Sequence, residues 1–128
     1  MGCRILIADD VGDMRYLWRM ILHEDPSLEV IGEASDGSEA LAAVEALRPD
    51  VLLLDLAMPG VDGLQVLRSM RAQHPQTRVV VASAFAAGRF EALVTELGAA
   101  AYFEKGNSGA ELRAMVRTAC YGDQARAS

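Results

Sequence analysis

Five short apolar runs alternate with five helical stripes, and this alternation limits the possible folds more than any other feature of the chain. The runs cover residues 4–8, 28–34, 51–54, 79–82 and 100–104, lengths that suit strands rather than helices. Met14, Leu17, Trp18, Ile21 and Leu22 follow the first at i, i+3, i+4, i+7 and i+8, one face of a helix. Ala40, Leu41, Val44 and Leu47 form the second stripe, and Leu64, Leu67 and Met70 the third. Phe90, Leu93, Val94 and Leu97 form the fourth; Leu112, Met115, Val116 and Ala119 form the fifth. Pro26, Pro49 and Pro75 punctuate the helix ends. Asp13 is expected to cap the first helix, Gly98 to close the fourth and Ser108 to open the fifth. Asp62-Gly63 reads as a turn and helix start. Val51-Leu52-Leu53-Leu54 has no polar face, as expected of a strand covered on both sides. Five such units predict an α/β fold, a doubly wound parallel sheet with helices on both faces.

A chain of 128 residues makes one domain, and 52% hydrophobic content excludes disorder. The formal charge of −6 argues against this domain itself binding nucleic acid or an anionic membrane. No apolar run approaches the roughly 20 residues of a membrane span. Asp9 and Asp10 interrupt any signal-peptide core, so a cytoplasmic location is expected. Cys3 and Cys120 lie far apart without metal-type spacing, which reads as two filler thiols in a reducing compartment. His23 and His74 sit beside Asp25-Pro26 and Pro75, where surface or capping roles are expected.

In open α/β sheets, ligands bind at the carboxyl ends of the strands. There the sequence puts Asp9 and Asp10 after the first strand, Asp55 after the third, Ser83 after the fourth and Lys105 after the fifth. Ser35-Asp36, after the second, reads as turn and cap. Each residue alone has an ordinary explanation as a loop, turn or cap residue. As a set, three adjacent carboxylates repel unless positive charge sits among them. Mg2+ answers that need through oxygen ligands. With a lysine and a hydroxyl alongside, such a site suits a phosphoryl group attacked by one carboxylate.

These residues resemble the receiver domain of two-component response regulators. The likeness rests on Asp9-Asp10, Leu-Leu-Leu-Asp55-Leu-Ala-Met-Pro-Gly, Ser83 and Tyr102-Phe-Glu-Lys105. Ala-Asp-Asp and Glu-Lys-Gly are most similar to receivers joined to helix-turn-helix DNA-binding domains. The resemblance implies a flavodoxin-like (βα)5 fold with sheet order 2-1-3-4-5. It implies a receiver over residues 1–121, with 122–128 as a tail or the start of a linker. It makes Asp55 the phospho-acceptor for a sensor histidine kinase. Mg2+ would be held by Asp10, Asp55 and the Ala57 backbone carbonyl, with Asp9 acting through water. Lys105 would pair with the phosphoryl oxygens, Ser83 would move to hydrogen-bond them, and Tyr102 would change rotamer. The fourth helix, fifth strand and fifth helix would carry the signal, with a homodimer on phosphorylation as one outcome.

Two features depart from the family pattern. Gly106 stands where a proline, preceded by a cis bond, very often follows the lysine. Ala57, two residues past Asp55, has no polar group to position water, and Phe85 is placed to shield an acyl phosphate. Ala57 and Phe85 together predict slow loss of the phosphoryl group, whereas Gly106 is expected to free the loop and loosen the placement of Lys105. No effector domain follows the fifth helix in this sequence, which reads as either a free-standing receiver or a piece of a longer regulator. Two other functions compete with the self-phosphorylating, non-enzymatic switch. One is a phosphate-independent interaction module. The other is a Mg2+-dependent aspartyl-phosphate phosphohydrolase, for which Ala57 stands where a second carboxylate is common.

Overall fold

The computed structural model describes residues 2–58, 62–85 and 87–122. The expected loop around Pro59, Gly60 and Val61 and the tail from residue 123 lie outside the described residues. The order of elements is β1 (Cys3–Ala8), α1 (Gly12–His23), β2 (Leu28–Ala34), α2 (Gly37–Leu47), β3 (Val51–Asp55), α3 (Gly63–Gln73), β4 (Arg78–Ser83), α4 (Ala87–Glu96), β5 (Ala101–Glu104) and α5 (Gly109–Tyr121). The strands form one parallel sheet in the order 2-1-3-4-5, as expected of the flavodoxin-like (βα)5 architecture. No helix among the described residues is long and apolar enough to cross a membrane.

Two apolar layers sandwich the sheet. Side chains alternate along each strand, so β3 sends Leu52 and Leu54 to one layer and Val51 and Leu53 to the other. The first layer packs under α2, α3 and α4, through Val44, Met70 and Val94. The second packs under α1 and α5, through Trp18, Leu22, Leu112 and Val116. Caps set the helix starts. Asp36, Asp62 and Ser108 each accept a hydrogen bond from the backbone N–H three residues on, at 2.8, 2.8 and 3.1 Å. Gly98 closes α4 at φ 106°, a region that favours glycine.

Four expectations need correction. Asp13 does not cap α1; the helix starts at Gly12, after Val11, and has no side-chain cap. Leu17 is 46% exposed, because the buried stripe of α1 is narrower than the spacing suggested and centres on Trp18 and Leu22. Cys3 and Cys120 are not separate thiols; they form a disulfide across 117 residues of sequence. The first residue of β1 and the last turn of α5 meet at the amino end of the sheet, a contact that sequence distance concealed. His74 ends α3 as expected, but its side chain is buried, with Nε2 3.3 Å from Glu45 Oε2.

Candidate phosphoryl-acceptor site

Strand ends position the polar side chains. Parallel register puts Ala8 beside Leu54 and Asp55 beside Ala82, so the residues after β1 and at the ends of β3 and β4 emerge along one edge. Asp9, Asp10 and Asp55 bring carboxylate oxygens within 4.8 Å of one another. Asp9 is fully buried and Asp55 nearly so, while Asp10 faces solvent. The Asp9 carboxylate also accepts the Val11 N–H at 2.8 Å, which folds the start of the β1–α1 loop. Arg15 donates to the Asp9 carbonyl at 2.7 Å and to Glu33 at 2.9 Å, bracing that loop against β2.

Lys105 reaches this cluster from the end of β5. Its Nζ lies 3.0 Å from Asp9 Oδ2 and 3.2 Å from Asp55 Oδ1. On another side, the same ammonium lies 5.3 Å from the centre of the Trp18 ring. The Ala57 N–H donates to Asp55 Oδ1 at 3.2 Å. Three carboxylates and one ammonium leave two negative charges in a partly dry pocket. All the charged donors are hard oxygens, so a small divalent cation such as Mg2+ fits the residues present.

Burial is the largest influence on both partners of the Lys105–Asp55 pair. It pushes the Asp55 carboxyl up; Lys105 opposes this and the Asp9 charge adds to it, leaving Asp55 above the usual carboxylate range. For Lys105, burial acts downward. The hydrogen bond to Asp9 and the charges of Asp55 and Asp9 outweigh it, so the ammonium is held above the ordinary lysine value. The site therefore keeps its cation firmly and tolerates its central anion poorly.

Ser83 and Tyr102 meet at one peptide unit. Ser83 Oγ accepts the Phe85 N–H at 3.1 Å, and the Tyr102 hydroxyl donates to the Phe85 carbonyl at 2.8 Å. Both side chains are buried, so Tyr102 occupies its inward rotamer. The Phe85 ring is half exposed and lies against Phe90, with centroids 5.1 Å apart. Together with Leu56, Ala57, Asp62 and Leu64 these rings line a cleft of about 200 Å3. Every residue placed at the site from the sequence is thus gathered at the carboxyl edge. No cis peptide bond occurs among the described residues, so the Lys105–Gly106 bond is trans, with Gly106 at φ 102°. Sequence reasoning missed Arg15 and Trp18, because both sit in a helix whose stripe was read only as core and solvent face.

The chain matches the family model described as the response regulator receiver domain over residues 5–117. It is 42% identical over 113 residues to protein-glutamate methylesterase/protein-glutamine glutaminase 2 of Koribacter versatilis, a match covering 85% of this chain and 30% of that protein. It is 35% identical over 120 residues to the transcriptional regulatory protein LiaR of Bacillus subtilis, covering 94% of this chain and 57% of LiaR. The chain therefore spans only about a third to just over half of these curated relatives. Among solved structures, the signal receiver domain of the response regulator NarL from Mycobacterium tuberculosis superposes with a TM-score of 0.89 at 34% identity, covering 94% of this chain and 98% of that one. The order of the sheet, the acidic cluster at its carboxyl edge and these matches agree: the chain belongs to the response regulator receiver family, whose domains are phosphorylation-based signalling switches.

Proposed function

We propose that this domain accepts a phosphoryl group from a phosphohistidine of a sensor kinase onto Asp55. The observation that carries the reading is the bridging of Asp9 and Asp55 by Lys105 inside a three-carboxylate cluster. An Asp55 carboxylate oxygen attacks phosphorus, the P–N bond breaks, and the imidazole leaves with the electron pair. The product is an acyl phosphate on Asp55. Lys105 then exchanges a carboxylate oxygen for a phosphoryl oxygen, so the developing charge meets an ammonium already in place. Asp10, Asp55 and the Ala57 carbonyl would hold Mg2+, with Asp9 acting through water. When bound, the ion neutralises phosphoryl oxygens that the nearby carboxylates would otherwise repel.

The signal leaves through Phe85. A phosphoryl oxygen offers Ser83 a charged acceptor, and Ser83 turns toward it, giving up the Phe85 N–H. The Phe85 carbonyl that holds Tyr102 belongs to the same segment, so the serine and the tyrosine change together. Phosphorylation thereby shifts a population between two arrangements of α4, β5 and α5 by its differential contacts. That face would then serve a partner, including a second phosphorylated copy. A cytoplasmic location follows from a kinase donor of this kind. Likeness to LiaR favours a transcription-regulating output; likeness to a methylesterase favours the second reading, an enzyme domain controlled by this one.

Intact mass after incubation with acetyl phosphate tests the site. A gain of one phosphoryl group that needs Mg2+ and vanishes in Asp55→Asn supports the reading. A gain that persists in Asp55→Asn places the nucleophile elsewhere. No gain from acetyl phosphate or from a phosphorylated kinase favours the phosphate-independent module.

A further inference from the structure

Lys105 has little in its own loop to hold it. Gly106 follows with φ 102°, and a Cβ built there would meet nothing within 4 Å. Its backbone is tied where Lys105 N–H donates to the Ser83 carbonyl at 2.7 Å, and the turn is closed where Asn107 N–H donates to the Glu104 carbonyl at 3.1 Å, but neither bond touches the lysine side chain. Beyond those points the side chain must choose among many rotamers. Two carboxylates attract its ammonium, yet Coulomb attraction is weakly directional. An ammonium on a flexible stem can satisfy Asp9 and Asp55 from several positions.

The indole of Trp18 supplies the missing direction. Its ring lies under Nζ at 5.3 Å, inside the range of a cation–π contact. Trp18 is 2% exposed and is wedged in the layer with Ile7, Leu53, Phe103 and Leu112. It is therefore a fixed platform, held by α1 and set by only two side-chain torsions. We propose that Trp18 is a positioning residue for Lys105, holding the ammonium against the phosphoryl-acceptor carboxylate where the Gly106 loop cannot. This rests on the reading of Asp55 as acceptor. The indole acts through Lys105 and touches no reacting atom. Its contact also differs between states: when Lys105 follows the phosphoryl oxygens, its distance from the ring changes, so the indole senses the phosphorylated form.

The chain has one tryptophan, which makes the test clean. The full chain is produced with mono-, di- and tetrafluorinated tryptophan, which weaken the ring's negative face in steps and hardly change its shape. The rate of Asp55 phosphorylation by acetyl phosphate with Mg2+ should fall by about threefold to fivefold along the series. The melting temperature should stay nearly level. In a Lys105→Met background the dependence on fluorination should vanish. Independently of any phosphoryl transfer, Lys105→Met should change the emission of Trp18 in the resting protein while the far-UV circular dichroism is unchanged. A flat series, a slope that survives Lys105→Met, or unchanged emission overturns the proposal. If the natural chain takes no phosphoryl group on Asp55, the proposed function fails, and the emission comparison still decides the role of Trp18.

Discussion

The two ends of the sheet solve opposite problems. At the amino end most strong polar groups described are matched, the buried Nδ1 of His74 being the exception. The Arg4 guanidinium donates to the Leu47 and Arg48 carbonyls at 2.8 Å each, which satisfies the last turn of α2. The Asp50 carboxylate accepts the Arg4 N–H at 2.9 Å, and the Thr77 hydroxyl donates to the Pro49 carbonyl at 2.8 Å. Cys3–Cys120 ties β1 to α5 beside them. At the carboxyl end, Asp9, Asp10 and Asp55 share one lysine, and two negative charges remain. The same scaffold is closed where it only has to hold together and is left electrostatically short where a cation and a phosphoryl group would complete it. Stability and function are thus sought at opposite ends of the same five strands.

The sharpest way to break that contrast is to cut the disulfide. A bridge closing 117 residues restrains the unfolded chain over nearly its whole length. Reduction, or Cys3→Ser with Cys120→Ser, should cost about 3 kcal/mol of stability by chemical denaturation. The rate of Asp55 phosphorylation should not change. A large fall in that rate with the fold intact would show that the amino end is not merely structural.

Gly63 reverses the comparison, because it is a packing position at the functional end. A Cβ there would lie 2.5 Å from Leu56 Cα and 2.9 Å from the Asp55 carbonyl oxygen. Backbone cannot yield as a flexible side chain does. Gly63→Ala should therefore cost about 2 kcal/mol and also slow phosphorylation, by moving the segment that carries Asp55 and Ala57. Loss of stability alone, with the phosphorylation rate kept, would separate α3 from the site.

Charge gives the contrast its sign. Asp55 is held above its usual pKa mainly by burial, so in the folded state its ionised form is disfavoured. The native state then binds more protons than the unfolded one between the two pKa values, and stability falls as pH rises through that window. The penalty is fully present above the folded pKa of Asp55. Asp55→Asn should melt higher than the natural chain at pH 7. The gap should close as pH falls below the folded pKa of Asp55, and also on adding Mg2+. A variant that melts lower at neutral pH would mean that the Lys105 pairing outweighs burial. Lys105 runs the other way: its raised pKa adds stability that persists through neutral pH and is lost as pH climbs past its folded value.

What could be read from the sequence divides along the same line. Strand ends are legible because a parallel sheet sends every strand's last residues to one edge, so the sequence alone groups Asp9, Asp55, Ser83 and Lys105. The apolar run of β3 gave its burial on both faces directly. Helix faces were less legible, since Leu17 fits the spacing of a buried stripe and still points outward. Contacts between distant elements were not legible at all. Nothing local in Cys3 or Cys120 says that the ends of the chain adjoin, and nothing local in Trp18 says that a lysine 87 positions later lies over its ring. Such pairings depend on how the helices lean on the sheet, which periodicity does not encode.

The smallest predicted effect concerns how long the charged state lasts. Ala57 is exposed beside Asp55 and presents only a methyl group, and the neighbouring cleft is walled by Phe85 and Phe90. Hydrolysis of an acyl phosphate needs a water placed in line with the bond to the carboxyl oxygen. A methyl group cannot hold that water, whereas an amide at the same position can. Ala57→Asn should shorten the phosphorylated lifetime by roughly threefold, the worth of one modest hydrogen bond. It should leave stability almost unchanged, because the side chain points to solvent. The lifetime is read by following loss of the phosphoryl mass after the donor is removed. Equal lifetimes would mean that water reaches phosphorus by another route, and the open side of the site would then be the one facing Asp10.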